Sequence, residues 1–547
     1  MAIKQREAIL QVKNLHVAYK QSSQEVNILN QLSFELREGE ILSLLGESGS
    51  GKSTIAKALT GLLPASAHIQ SGMLHIGTQV VAELASTTVN WKAIRGRQIA
   101  MLFQDARQAL NPVLKIRDHF KETLLFHRAA ASDQVIPITI QLLRKLHFED
   151  ELRILDCYPF QLSGGMCQRI CLALALCLKP LVLIADEPTS SLDIVSQKEV
   201  LDLLKSMQEE FGLSVLLITH DIAVANAVSD RVLVLHKGVI EEEGDARSVF
   251  TNPQTAYMRH LLNSRYHIAS PSQVLGMRDE HELILEISQL EKRYDQKPVL
   301  HDVNLQLHKG DIVGILGESG CGKSTLARCL TGLEPLSRGS ILYRGREISR
   351  LKGKEKREMC QHIQMVFQDA RASLNPGRTA WQLVQEPLRY LHIGQKKEWK
   401  TMAKLVLEEV GICGDARNRR PPQLSSGQCQ RVAIARALVL GPDILICDEA
   451  VSSLDMSVRA QILELLQRMQ QQLGFSIIMI SHDIRVLESF CHHIAVMNQG
   501  KFCETRPADQ LRASTHAYTQ LLLNCAGDLE DGFYAKGGNR TYDLQYS

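Results

Sequence analysis

The strongest constraint on this chain is a phosphate-cradling sequence that occurs twice. Gly46-Glu47-Ser48-Gly49-Ser50-Gly51-Lys52-Ser53-Thr54 fits the P-loop pattern G-x-x-x-x-G-K-[ST], and Gly317-Glu318-Ser319-Gly320-Cys321-Gly322-Lys323-Ser324-Thr325 fits it again. Each copy follows an apolar run of strand character, Ile41 to Leu45 or Ile312 to Leu316, and opens a helical pattern free of proline in its first turns. Glycines let the backbone bend until several N–H groups face one anion, and the helix N-terminus adds partial positive charge. Lys52 and Lys323 are placed to reach the β- and γ-phosphates of a nucleotide, and Ser53 and Ser324 to hold Mg²⁺. A chance match after a strand, twice in one chain, is a negligible alternative.

The duplication sets the domain count for 547 residues at two similar α/β halves. Lys plus Arg is 62 and Asp plus Glu is 60, a net charge of +2, so no basic excess points to nucleic acid. Thirteen cysteines without C-x-x-C spacing fit thiols in a reducing compartment better than a disulfide framework. No apolar segment follows the N-terminal residues, so no signal peptide is expected. The longest apolar run, Ile170 to Ala185, is interrupted by Lys179-Pro180, which predicts a helix end and a strand instead of a membrane span.

Further phrases recur in the same order in both halves. Tyr19 and Tyr294 precede the two P-loops, and their recurrence points to stacking on an adenine. A strand ending at Gln104, or at Gln368, offers a carbonyl oxygen to Mg²⁺ or to an attacking water. Residues 113 to 160 read as a mostly helical insert. Ser163-Gly164-Gly165 and Ser425-Ser426-Gly427 then open Ala- and Leu-rich helices and form a second anion cradle. The apolar runs Leu181 to Ala185 and Ile444 to Cys447 end in acid pairs. Asp186 and Asp448 suit Mg²⁺, and Glu187 and Glu449 suit a general base on water. His220 and His482 end later strands and are placed to sense a γ-phosphate.

Together these residues resemble the ATP-binding cassette of ABC transporters, present twice over roughly residues 8 to 262 and 283 to 522. The halves keep one constant offset from the signature onward. The resemblance implies two tandem P-loop NTPase domains, each a mostly parallel RecA-like core with a β subdomain and a helical subdomain. It divides the chain into a first cassette, 1–262, a linker, 263–282, a second cassette, 283–525, and a polar tail, 526–547, expected to be disordered. It implies two ATP molecules with Mg²⁺, sandwiched head to tail between cassettes of one chain. Gly46, Ser48, Gly49, Gly51, Lys52, Ser53 and Thr54, with Gln104, Asp186, Glu187 and His220, would then pair with Ser425 to Gly427. Gly317, Ser319, Gly320, Gly322, Lys323, Ser324 and Thr325, with Gln368, Asp448, Glu449 and His482, would pair with Ser163 to Gly165. Asp193 and Asp455 would be the Asp-loop residues.

The phrases ending in Leu110-Asn111-Pro112 and Leu374-Asn375-Pro376, and Tyr257 and Tyr518 near the ends of the halves, resemble the peptide and nickel importer branch. Local phrases such as Tyr158-Pro159-Phe160-Gln161 and Asp448-Glu449-Ala450-Val451-Ser452 are similar to the paired nickel-import ATPases, as if fused. That branch implies an energy-coupling ATPase on the cytoplasmic face of the inner membrane, docked near its Gln loops to two permease subunits served by an external binding protein. Its cargo would be nickel, a metal chelate or small peptides. The alternative is a soluble tandem-cassette ATPase acting on ribosomes or nucleic acid; a short linker and near-zero charge disfavour it.

Three departures from the family pattern stand out. Ser426 replaces a glycine where backbone approaches the γ-phosphate, Met166 replaces the signature glutamine, and Cys167 and Cys429 stand where arginine is common. Cys167 and Cys171, one helical turn apart, could meet a metal, but core packing is the stronger expectation. The same holds for His492-His493 beside Cys491, expected to be a surface pair. No C-terminal cysteine cluster site is expected, since the tail offers Cys525 alone.

Overall fold

The computed structural model describes residues 7–531 except 22–23, 78, 87, 191, 267–281, 296 and 453. They form two compact units, residues 7–263 with 527–531, and residues 264–526. Most of the expected linker lies outside the described residues; the helix Ala256–Tyr266 extends into its start. The helix Ala517–Asp531 continues past Cys525 into the stretch expected to be a polar tail. Leu522, Cys525, Ala526 and Leu529 are buried there. That i, i+3, i+4, i+7 spacing gives the helix one apolar stripe, which holds it beyond the point where polar composition suggested loss of order. Residues 532–547 lie outside the described residues.

In the first unit a six-stranded sheet sets Val239–Asp245, Arg231–His236, Ile41–Leu45, Ser214–Thr219, Val182–Asp186 and Ile99–Leu102 side by side. The edge strand Val239–Asp245 is antiparallel to its neighbour, and every other pairing is parallel. The second unit repeats this order with Lys501–Pro507, His493–Asn498, Ile312–Leu316, Ser476–Ser481, Ile444–Asp448 and Ile363–Val366. All residues of Ile41–Leu45, Val182–Asp186 and Ser214–Thr219 are buried. A parallel sheet covered on both faces demands such apolar runs, and each buried Leu or Ile stabilises it by about 1.5–3 kcal/mol.

Register decides where chemistry can collect. Leu45 lies opposite Thr219, and Asp186 opposite Ile218. The P-loop, Glu187 and His220 therefore leave the sheet at one carboxyl edge, where an open α/β sheet binds its ligand.

A four-stranded antiparallel sheet, containing Ala8–Gln21 and Gln24–Arg37, packs its apolar side on this core, bringing Leu10, Val12, Leu29 and Leu36 into one cluster with Leu44, Ile55 and Leu59. The helical insert is made of Ile116–Phe126, Val135–Lys145 and Glu151–Asp156. The apolar run around Lys179-Pro180 divides as expected, into the helix Gly164–Leu176 and the strand Val182–Asp186, with Lys179 at φ 52 between them. Among the described residues no helix is long and apolar enough to cross a membrane.

Candidate active site

The P-loops are built where glycine is required. Gly51 and Gly322 hold φ of 109 and 111 at the N-caps of the helices Lys52–Thr60 and Lys323–Leu330. At Gly46 a Cβ would lie 2.3 Å from the carbonyl oxygen of Leu235, and at Gly317 the same distance from that of Met497. A side chain at either place would push the loop off the neighbouring strand. The tips Ser48-Gly49 and Ser319-Gly320 are exposed, whereas Lys52 and Lys323 are buried beneath them. The Lys52 Nζ donates to the carbonyls of Gly46 at 2.6 Å and Glu47 at 2.8 Å, and Lys323 does the same to Gly317 and Glu318, both at 2.8 Å. Thr54 and Thr325 follow in the first helical turn, half-buried.

Ser53 Oγ donates to Asp186 Oδ1 at 3.2 Å, and Ser324 Oγ to Asp448 Oδ1 at 3.1 Å. Burial of each aspartate, only partly offset by the serine hydrogen bond, raises its pKa, and the adjoining glutamate raises it further. A hydroxyl and a buried carboxylate in contact form the hard oxygen set that suits a magnesium ion, whose charge would favour the ionised carboxylate.

The glutamates are held more tightly than their sequence suggested. Glu187 and Glu449 have φ of 48 and 46, a strained conformation for a side-chain-bearing residue. Their N–H groups donate to Ile218 O at 2.8 Å and Ile480 O at 3.0 Å, and their carbonyls accept from Ser190 Oγ and Ser452 Oγ at 3.2 and 2.9 Å. His220 Nδ1 lies 2.9 Å from Glu187 Oε1, while Gln104 Nε2 donates to Glu187 Oε2 at 2.9 Å. His482 and Gln368 take the same places on Glu449 at 3.4 and 2.7 Å. Both glutamines thus meet the candidate base, where sequence had placed their carbonyls on Mg²⁺ or water. Burial alone would raise the Glu187 pKa, but His220, by hydrogen bond and charge, and Lys52 hold it below the usual range. Glu187 is therefore ionised through neutral pH and able to accept a proton from water.

The signature serines cap their helices. Ser163 Oγ accepts from Met166 N, and Ser425 Oγ from Gln428 N, both at 3.2 Å. Gln428 returns a bond, accepting from Ser425 N at 3.1 Å. Met166 has no oxygen for this, so the substitution costs the first signature half of a capping box. Asp193 and Asp455, buried, cap the helices Ile194–Phe211 and Met456–Leu473, accepting from Ser196 N and Val458 N at 3.0 Å each. The aromatic pair is unequal: Tyr19 packs partly buried against the core, whereas Tyr294 is 40% exposed with Lys292 Nζ 4.7 Å from its ring centroid.

The cysteines have structural partners. Cys167 Sγ and Cys171 Sγ donate to Pro159 O and Ala106 O at 3.5 Å, and burial pushes the Cys171 thiol up to about 12. His492 Nδ1 accepts from Ile312 N at 3.1 Å. One feature was unread in the sequence: the Tyr257 and Tyr518 hydroxyls accept from the P-loop amides of Glu47 and Glu318, each at 3.2 Å. The tyrosines stood out only as a recurring phrase, and nothing local connects positions so distant in sequence.

A family model described as "ABC transporter" matches residues 29–190 and 300–452. The chain is 34% identical to the glutathione import ATP-binding protein GsiA of Salmonella typhi, over 94% of this chain and 89% of that protein. It is 35% identical to the protein of the same name from Escherichia coli O6:H1, with the same coverage. Among solved structures it is similar to the ATP-binding cassette MJ0796 in a dimeric post-hydrolysis state bound to ADP and Pi. That match has 29% identity and a TM-score of 0.39, over 41% of this chain and 99% of that one.

Proposed function

The chain belongs to the ABC transporter family, and from that premise we propose that it is the tandem ATP-hydrolysing subunit that energises import of a small peptide across the cytoplasmic membrane. The single observation that carries the cargo class is the likeness, along nearly the whole chain, to importer ATP-binding proteins for a tripeptide, glutathione. Nickel and metal chelates, suggested by the local phrases, are the competing cargoes.

Each site does its work with a few groups. P-loop amides and Lys52, or Lys323, neutralise and align the phosphates. Ser53 with Asp186, and Ser324 with Asp448, would hold Mg²⁺, which when bound supplies positive charge to the β- and γ-phosphates. Glu187 and Glu449 take a proton from water as its oxygen bonds to the γ-phosphorus, while the bond from that phosphorus to the β–γ bridging oxygen breaks and ADP leaves. A donor on each carboxylate oxygen, histidine on one and glutamine on the other, fixes the base for that transfer. We assign the two ATP sites as composites in which Ser425 to Gly427 complete the site of Lys52, and Ser163 to Gly165 that of Lys323. Two permease subunits and an external binding protein complete the transporter, and the chain works peripherally on the inner face of the membrane.

The test is uptake of labelled glutathione and of labelled nickel by cells carrying the chain or its Glu187→Gln/Glu449→Gln form. The double variant should retain ATP binding and lose hydrolysis by roughly 10²–10⁴-fold. Glutathione uptake present only with the unmodified chain supports the reading. Nickel uptake alone following the chain moves the cargo to metal, and hydrolysis unchanged in the double variant shows the glutamates to be misassigned.

A further inference from the structure

We infer that Tyr257 and Tyr518 are positioning residues for nucleotide binding, each holding a P-loop peptide through its hydroxyl so that phosphate affinity depends on the C-terminal segment of its own cassette. The inference concerns nucleotide binding and stands apart from the identity of the cargo.

The Gly46–Glu47 peptide is gripped on both sides. Its carbonyl oxygen, that of Gly46, accepts from Lys52 Nζ at 2.6 Å, while its amide, that of Glu47, donates to the Tyr257 hydroxyl at 3.2 Å. The Gly317–Glu318 peptide has the same arrangement, its Gly317 carbonyl accepting from Lys323 Nζ at 2.8 Å and its Glu318 amide donating to the Tyr518 hydroxyl at 3.2 Å. When Lys52 or Lys323 turns its ammonium to a phosphate, the grip on the carbonyl weakens. The tyrosine bond lies on the other side of the peptide and has no part in that exchange. It is the restraint that can persist in the loaded loop, and a preorganised cradle binds its anion without the cost of ordering the backbone.

Each tyrosine is itself fixed, in both cassettes through a glutamate of the antiparallel edge strand and in the first also by ring stacking. Tyr257 stacks on His236, with ring centroids 4.0 Å apart and planes 9° apart. His236 ends the strand whose Leu235 carbonyl walls Gly46. The buried Glu242 accepts from Gln254 N at 2.9 Å, Thr255 N at 3.0 Å and Thr255 Oγ1 at 2.7 Å, pinning the start of the helix that carries Tyr257. In the second cassette Glu504 accepts from Ser514 Oγ and Thr519 Oγ1 on either side of Tyr518 and from Arg506 Nε at 2.6 Å. Glu242 and Glu504 hold the same place in the edge strands Val239–Asp245 and Lys501–Pro507, so both cassettes anchor the tyrosine segment alike and deliver one hydroxyl-to-amide bond at the same P-loop residue.

The test is Tyr257→Phe/Tyr518→Phe in the full chain, with binding of ATP, inorganic pyrophosphate and adenosine measured beside hydrolysis and Tm. The ring stays and only the oxygen goes. ATP and pyrophosphate affinities should both fall roughly tenfold, the scale of one lost hydrogen bond to a part-buried amide. KM for ATP should rise by the same factor with kcat within about twofold, and adenosine binding and Tm should be unchanged. Each single variant should weaken one of the two nucleotide sites, which equilibrium titration reads even where the double variant folds poorly. Unchanged pyrophosphate affinity would overturn the inference. So would an equal loss for all three ligands with a lowered Tm, which would make the tyrosines mere supports of the fold. Failure of the unmodified chain to bind ATP would strike instead at the ATPase assignment.

Discussion

At the scale of single residues, the two signature glycine positions have different reasons for being small. A Cβ at Gly427 would lie 2.6 Å from Val458 Cγ1, and one at Gly165 would lie 3.1 Å from Ser196 Oγ. The second position is therefore set by packing against the helix that follows the Asp loop. At Gly164 a Cβ would meet only Leu192 Cδ2, at an ordinary 3.7 Å. Ser426 stands at the corresponding place in the second cassette, exposed at the start of the helix Ser426–Leu438. Its side chain costs its own cassette little, so under the proposed composite assignment any penalty arises against nucleotide. Ser426→Gly should leave Tm within about 1 °C while lowering KM or raising turnover at the Lys52 site by a few-fold, roughly 1 kcal/mol. Steady-state kinetics in a Glu449→Gln background, where hydrolysis at the other site is suppressed, checks this; equal constants with and without the serine would show it to be neutral.

At the scale of elements, the turn after each histidine that meets the candidate base, His220 or His482, is secured differently. In the second cassette the carboxylate of Asp483 accepts from Arg459 Nη1 at 2.8 Å and Arg485 Nε at 3.0 Å. Arg459 also reaches the carbonyl of Leu454 at 3.4 Å, tying the Asp loop to the histidine turn. The first cassette has Gln197 and Ala223 at the matching positions and makes neither ion pair. Burial alone would raise the Asp483 pKa, but Arg485 and Arg459 hold it well below the usual carboxylate range. A depressed folded-state pKa stabilises above the unfolded value, and that stability is lost as pH falls through the folded value. Arg459→Gln should therefore destabilise the second cassette at neutral pH by roughly 1–3 kcal/mol, less than for an isolated buried pair because Arg485 remains. The difference from the unmodified chain should shrink only well below the ordinary aspartate value, about pH 4, as pH falls through the depressed folded-state value and a protonated Asp483 gains little from a guanidinium. Urea titrations at several pH values measure it; a difference constant into acid would mean that Arg459 contributes packing alone.

At the scale of the whole molecule, carrying both cassettes in one chain changes the mass action of the proposed composite sites. Cassettes on separate chains must meet by diffusion, whereas tethered ones see each other at a fixed effective concentration. Turnover per chain should thus be constant over a roughly hundredfold dilution. Turnover that falls with dilution would mean that active sites form between chains. Burial at the level of the sheet also explains why the candidate base cannot drift: Asp186 ends a strand with no exposed residue, so Glu187 leaves the sheet from a fixed point.

Much of this was legible because local physics repeats in the sequence. A glycine-rich turn between a strand and a helix, an apolar run ending in two acids, and a serine opening a helix each state their geometry within a few residues, and finding each twice removed chance. The sequence alone therefore determined the two-cassette architecture, the phosphate cradles and the candidate base. It did not determine who touches whom. Gln104 donating to Glu187, Ser190 bracing the Glu187 carbonyl, Tyr257 holding the Glu47 amide and Asp483 between two arginines all depend on the strand order. That order follows from burying apolar faces across the whole domain and not from any short window. The same long-range burial kept the terminal helix ordered to Asp531, where composition had suggested a loose tail.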